Sequence, residues 1–403
     1  MANDQERAEF YLTRWLKLMR SENPLRQITW YAGGAVENES MVVSHLRALQ
    51  DSMLLAVPSI HHKIFTNCRD VDGWQDSYVF DMKIPGDAGH TYVKGVNASV
   101  VGYMEDGFSP DAYITNGFPP AAALFSLGLS YFNRPLPPVV SVMAKVPEGL
   151  WDYISEPAAV QLLRMMAESG TFWIYVLDSA NEESLMYKLL EQAGYIDFPR
   201  LRRVRTFSWE PKKFDKSRDD VVVWSGRAST MKNPDLGIKV MSLVPKLKKE
   251  AFLPRPNPNL QKRFESVRNT TSHGGEPPDV YRRLTGSAKA LLTTSHAEGF
   301  PVGFVELWCQ GVLPVVWNRP WNMDLLPSDW PFRFDTPGQG AEMCIEAVAN
   351  YKKYAPLLQE WCEHRFSGKI NFPELLLETW EQYTLLLGDK IRLVSKRGAR
   401  KSL

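Results

Sequence analysis

Ser295-His296-Ala297-Glu298-Gly299-Phe300-Pro301-Val302-Gly303-Phe304-Val305-Glu306 lies between two apolar runs, Leu291-Leu292 upstream and Val312-Leu313-Pro314-Val315-Val316-Trp317 downstream. Short apolar runs bounded by glycine and proline read as buried strands, and the stretch between them predicts a turn followed by a helix. The turn falls on Gly299; Glu306, Leu307 and Cys309 fall in the helix, and Gly311 ends it. A loop that leaves a strand, turns on glycine and enters a helix offers backbone N–H groups to an anion or a sugar hydroxyl. Glu298 and Glu306, eight positions apart, flank that turn. Carboxylates placed there suit a ligand rich in hydroxyl donors and poor in positive charge, as a nucleotide sugar is. A surface helix with scattered acids is the plainer alternative.

The whole chain is compatible with such a site. Its 403 residues predict two domains with a core each. Apolar residues at 44% and charged residues at 23% match a soluble globular protein rather than a disordered or membrane-spanning one. A net charge of +1 leaves a polyanionic partner open, because a basic face can hide in a neutral total. Cys68, Cys309, Cys344 and Cys362 are widely spaced, without a CxxC or a histidine pairing. A reduced, cytoplasmic protein without a structural metal is therefore expected. The opening MANDQERAEF lacks the apolar core of a signal peptide. No apolar run reaches the length of about 18 residues that a membrane-spanning helix needs. Most of the 13 tryptophans are expected in the cores, with some lining a site.

Apolar spacing predicts a helix over about 4–20, then a strand Gln27–Tyr31 running into Gly33 and Gly34, then a helix through Met41–Leu49. Strand, glycine turn and helix open a doubly wound sheet, whose ligands bind at the carboxyl ends of the strands. Gly33 and Gly34 thus lie near any cleft, although a Gly-Gly pair also makes a simple tight turn. Further strands are predicted at Lys63–Asn67, Asp111–Thr115, Val139–Met143 and Thr171–Leu177, with a helix from about 180 ending at Gly194. The basic stretch 195–220 reads as the interdomain connection, and the proline- and asparagine-rich segment 252–280 as mostly loop. A second doubly wound unit begins at Val221–Arg227, with long helices around 341–362 and 373–387. The domains so drawn are 1–205, 206–375 and a C-terminal helix and basic tail 376–403 that packs back on the first.

Glu298 and Glu306, with the Glu-Gly-Phe turn and the Gly-x-x-Pro-Val-Val element, resemble the Glu-x7-Glu signature of retaining GT-B glycosyltransferases. The resemblance implies an α/β fold of two Rossmann-like doubly wound domains facing a central cleft. It also implies roles. Glu298 and the backbone of Gly299, Phe300, Pro301 and Val302 hold the donor sugar, Glu306 holds the ribose, and the His273-Gly274 loop touches the nucleotide base. Arg227 and Lys232, behind a strand and a glycine, can then meet the pyrophosphate whose charge grows as the glycosidic bond breaks. Taken alone, both could be solvated loop cations.

Gly226-Arg227-x4-Lys232, the 305–317 stretch and Asp111–Pro119 narrow the resemblance to the DNA α-glucosyltransferases of T-even bacteriophages. That resemblance implies transfer of a hexose, with UDP-glucose as the donor, onto a 5-hydroxymethylated pyrimidine in double-stranded DNA, with Arg227, Lys232 and Glu298 as the catalytic groups. The alternatives are a glycan, lipid-linked or protein acceptor, or a nucleotide-sugar-binding protein without catalysis. No metal or cofactor is expected besides the UDP-sugar substrate, and the chain is expected as a monomer or homodimer. In those phage enzymes a His-Asp-His run follows the strand matching Val139–Met143, whereas this chain has Ala144–Asp152. Glu148 and Asp152 are the acceptor-side candidates there, with helix-start acids as the plainer reading. Asp70-Val71-Asp72-Gly73 matches the metal-binding pair of another glycosyltransferase fold, but Asp-Gly is also an ordinary turn signal. His61-His62 lacks ligand partners at a useful spacing.

Overall fold

The computed structural model describes residues 2–21, 24–32, 41–66, 74–79, 112–116, 125–126, 129, 136–143, 156–208, 218–368 and 370–399. The chain divides into two compact units. One comprises Met1–Asp178, Glu182–Phe207 and Ile370–Leu403; the other comprises Ser179–Asn181 and Ser208–Lys369.

The first unit is built on a parallel sheet of β1 (Gln27–Ala32), β2 (His61–Thr66), β3 (Asp76–Val79), β4 (Ala112–Asn116), β5 (Val139–Met143), β6 (Phe172–Leu177) and β7 (Leu201–Val204). Their spatial order is β3-β2-β1-β4-β5-β6-β7, that of a doubly wound sheet. Every residue of β5 and β6 is buried, as expected of central strands covered on both faces. Helix Phe372–Ala399 belongs to this unit. Phe372 packs 5.7 Å from Trp30, while the Tyr175 hydroxyl donates to Leu375 O at 2.8 Å and lies 2.6 Å from Thr379 Oγ1.

The second unit holds β8 (Asp219–Ser225), β9 (Lys248–Leu253), β10 (Thr270–Gly274), β11 (Ala288–Thr293), β12 (Leu313–Trp317) and β13 (Arg333–Phe334). These strands are parallel in the order β10-β9-β8-β11-β12-β13, so the winding direction reverses between β8 and β11. The carboxyl ends of those two strands form the switch point where such sheets receive ligands.

Three sequence expectations are corrected. Segment 252–280 contains the end of β9, helix Pro258–Glu265, β10 and the start of helix Pro278–Gly286. Its prolines are helix starters: Pro258 follows the Asn257 cap, whose side chain accepts Leu260 N–H at 3.0 Å, and Leu260 and Phe264 are buried. The connection read over 195–220 contains β7, an edge strand that buries Leu201 and Val204 and leaves Arg202 and Arg203 half-buried. The helical region around 341–362 is two helices, Pro337–Ala349 and Tyr351–Phe366, broken at Asn350.

Candidate functional site

At the switch point two loops leave the sheet side by side, 226–233 after β8 and 294–301 after β11. Trp224, fully buried near the end of β8, donates its indole N–H to Thr294 Oγ1 at 2.9 Å. The Thr294 hydroxyl in turn donates to the carbonyls of Lys232 and Asn233, at 2.9 and 3.0 Å. His296 N–H closes on Met231 O at 2.8 Å. Two glycines make room for the indole: a Cβ on Gly226 would stand 3.0 Å from the Trp224 ring, and one on Gly237 would stand 2.8 Å from its nitrogen.

Lys232 and Glu298 are thereby brought into a direct ion pair. Both side chains are nearly buried, 14% and 7% exposed, and Lys232 Nζ also sits 4.9 Å from the centre of the Phe304 ring. Arg227 is exposed on the same loop, and among the described residues it has no carboxylate partner. Ser229 Oγ, between them, is buried without a hydrogen-bond partner among the described residues, an unfilled valence of the kind ligands satisfy.

The acidic turn behaves as read, with a refinement. Helix Val302–Cys309 follows it, and the chain reverses at Gly311 with φ of 92°. The Phe300 side chain is buried, 6.3 Å from Phe366, so only its backbone can face a ligand. Pro301 has no N–H to offer, and Val302 N–H is spent on Phe300 O at 2.9 Å. Glu298 and Gly299 are the better ligand groups of the five.

Glu306 lies on the helix, its Oε1 accepting from Arg282 Nε at 3.0 Å. Beside it, Tyr281 OH is 3.0 Å from Ser225 Oγ. Burial pushes the Tyr281 phenol upward, the Ser225 contact opposes this, and Glu306 adds to it. Tyr281 meets Phe252 edge-on at 5.6 Å, and Phe252 stacks on His273 at 4.3 Å. His273 Nε2 is buried 3.6 Å from Glu250 Oε2, and Nδ1 is 3.8 Å from Glu276. Gly274 ends β10 beside it. The rim at the carboxyl ends of β8, β9 and β10 therefore runs from cations through Tyr281 to a flat aromatic pair.

Sequence reading missed Ser225, Tyr281, Arg282, Thr294, Trp317 and Arg319. Each lies within or just after the carboxyl end of a strand, or opens the helix after β10, and strand ends at a switch point were the signal available. Gly33, Gly34, Glu148, Asp152 and the Asp70–Gly73 turn lie outside the described residues. His62 is structural: it is fully buried and its Nδ1 accepts Trp30 Nε1–H at 3.0 Å. The described cations of the basic stretch are committed within their own units. Arg203 and Arg205 pair with Asp178 at 3.1 Å each, and Arg200 lies over Trp173 and Phe198. Arg202 donates to backbone carbonyls, as does Arg218 to those of Gly286, Ala288 and Gln310. Among the described residues, no cluster of three His, Cys, Asp or Glu could hold a metal ion. Among them, too, no helix is long and apolar enough to cross a membrane.

No protein-family model matches the chain, and no curated protein matches it by sequence. Solved structures do. Sucrose-phosphate synthase from Thermosynechococcus elongatus is 12% identical with a TM-score of 0.65, over 90% of this chain and 100% of that one. HepE of Anabaena, solved with UDP and glucose, is 14% identical with a TM-score of 0.62, again over 90% and 100%. TarM of S. aureus is 17% identical with a TM-score of 0.53, over 71% of this chain, which spans 57% of TarM's length. At such identities the likeness defines the fold: two Rossmann-like domains of the GT-B type, the architecture of these glycosyltransferases.

Proposed function

We propose that this chain is a retaining glycosyltransferase that moves a hexose, best matched by glucose, from a UDP-sugar to a hydroxyl acceptor without a metal. One observation carries the reading. The loop bearing Arg227 and Lys232 and the turn bearing Glu298 are hydrogen-bonded to each other at the switch point, with Lys232 and Glu298 in contact. In this assignment Arg227 and Lys232 face the diphosphate, Glu298 and Gly299 the sugar hydroxyls, and Glu306 the ribose. The Phe252–His273 pair takes the flat base. The complex of the fold neighbour HepE with UDP and glucose supports the donor class.

Charge stabilisation is the core of the proposed chemistry. As the bond from C1 to the leaving diphosphate stretches, negative charge moves onto oxygens beside two fixed cations, which stabilise the transition state more than the ground state. Donor binding would draw Lys232 partly away from Glu298, freeing the carboxylate to accept sugar hydroxyls. We assign retention to same-face attack, the acceptor hydroxyl giving its proton to the departing phosphate. Positioning then replaces a protein nucleophile.

For the acceptor we put forward the 5-hydroxymethyl group of a pyrimidine in duplex DNA, on the strength of the Gly226–Lys232, 305–317 and 111–119 motifs. A glycan, lipid-linked or protein hydroxyl is the competing outcome. It gains weight because the described cations at 200–205 and 218 are held internally. Incubation with UDP-glucose and hydroxymethylated duplex DNA, followed by mass measurement of the nucleosides, tests the proposal. A hexose-shifted nucleoside supports it; unmodified nucleosides alongside UDP release and transfer of the hexose to another hydroxyl would move the acceptor elsewhere. A wild-type protein that binds UDP but releases no sugar would mean a binding protein.

A further inference from the structure

The carboxyl edge of the second sheet presents its groups in a fixed order. His273 stands at β10, Phe252 at β9, Arg227 and Lys232 after β8, and Glu298 after β11. The next strand, β12, lies on the side of Glu298 away from the nucleotide rim and ends at Trp317. The guanidinium carbon of Arg319 lies 3.4 Å from the centre of that indole, and His296 meets the same ring edge-on at 4.7 Å. Stacking fixes the plane of a guanidinium and leaves its N–H edge pointing outward.

Arg319 differs from its neighbours. The guanidinium groups of Arg218, Arg282 and Arg333 each donate to carbonyl, amide or carboxylate oxygens. Arg319 is half-buried, and among the described residues its guanidinium has neither an ion pair nor a hydrogen bond. His296 is held below its ordinary range by burial and then by Arg319, so the two share one region of positive potential. His296 belongs to the sugar-binding turn, and its N–H ties that turn to Met231 O of the cation loop at 2.8 Å. Trp321, two residues after Arg319, donates its Nε1–H to Ser295 O of the same turn at 3.1 Å.

We propose that Arg319, seated on Trp317 beside His296, is a subsite for an oxyanion of the acceptor, a phosphate or carboxylate lying beyond the transferred sugar from the nucleotide. The assignment rests on the donor reading above, in which Glu298 and Gly299 take the sugar's hydroxyls and leave a cation on its far side. A bidentate N–H edge on a rigid stack is the geometry that selects such groups.

Calorimetry on the full chain tests this, with inorganic phosphate titrated into the UDP-loaded protein at matched ionic strength. Phosphate is expected to bind wild type and to bind Arg319→Gln about tenfold more weakly, the scale of one charge-assisted contact. Arg319→Lys should be intermediate, and UDP affinity should be the same in all three. Equal phosphate binding by wild type and Arg319→Gln would overturn the subsite and leave Arg319 a cover for Trp317. Loss of UDP affinity in Arg319→Gln would instead assign the residue to the diphosphate. A preference for UDP-glucuronate over UDP-glucose that Arg319→Gln abolishes would assign the anion to the donor sugar. Both results overturn an acceptor site. Failure of wild type to bind UDP would sink the donor reading, whereas Arg319-dependent phosphate binding in that protein would keep the oxyanion subsite.

Discussion

Lys232 and Glu298 show why one residue can carry both stability and activity. Each neutralises the other in a nearly dry setting. Lys232→Met leaves a buried carboxylate unpaired, which should cost about 3 kcal/mol of unfolding free energy, with Glu298→Gln in the same background restoring most of it. Denaturant melts of the two variants check this; equal stability of single and double variant would show that the pair is solvated. Neither should transfer sugar. Arg227 is exposed and structurally idle, so Arg227→Ala should keep wild-type stability while losing about 2–4 kcal/mol of transition-state stabilisation, read as kcat/KM. Unchanged kcat/KM would remove it from the site. The sequence already named Arg227, Lys232, Glu298 and Glu306, because charged groups beside glycine at strand ends are conspicuous. It could not show that Phe300 turns inward, since an apolar residue in a turn reads the same whichever way it points.

Among the elements, the tie between the two loops matters most. Thr294 is buried, and its hydroxyl serves Trp224, Lys232 and Asn233 together. Thr294→Val keeps the shape and removes every one of these bonds. It should cost about 1–3 kcal/mol for the orphaned groups. It should also weaken UDP binding, because the loops are no longer held in register; calorimetry would show this. Full UDP affinity would mean that the loops are positioned by their helices alone. Helix Pro258–Glu265 was invisible to a reading that treats proline as a breaker. Its cap predicts that Asn257→Ala costs about 1 kcal/mol in a denaturant melt. Edge strands β7 and β10 escaped notice for a related reason: one half-buried face and few residues leave almost no apolar pattern to detect.

Over the whole molecule, the first unit carries an acid-sensitive core. His62 is buried against Trp30, and burial, reinforced by His61, lowers its pKa from 6.5 to about 4. The folded state therefore keeps it neutral where the unfolded chain takes a proton. Its contribution is complete above pH 6.5 and is lost as pH falls towards 4, by at most ~3 kcal/mol. Denaturation midpoints between pH 7 and 4 should fall accordingly, and His62→Gln should flatten the profile; an unchanged slope would place the acid sensitivity elsewhere. In the second unit, UDP at a hundred times its dissociation constant should add about 2.7 kcal/mol of stability. Hydrogen exchange should then slow in β8, β11 and helix Val302–Cys309, but not across β1 to β7.

Strands β1, β2, β4, β5, β6, β8, β11 and β12 and the glycine-acid turn followed from local chemistry alone, whereas β3, β7, β9, β10 and β13 did not. Apolar runs of strand length need cover on both faces, and a glycine between strand and helix has few other uses. Which strands are neighbours is not local. The adjacency of β8 and β11, separated by β9 and β10 in the chain, arises when the winding of the sheet reverses. That reversal brings Lys232 to Glu298 and sets Arg319 one strand further along. A sequence specifies each of these side chains, but it takes the folded sheet to make them neighbours, because hydrogen bonding between strands acts across space and leaves no mark on the spacing of residues along the chain.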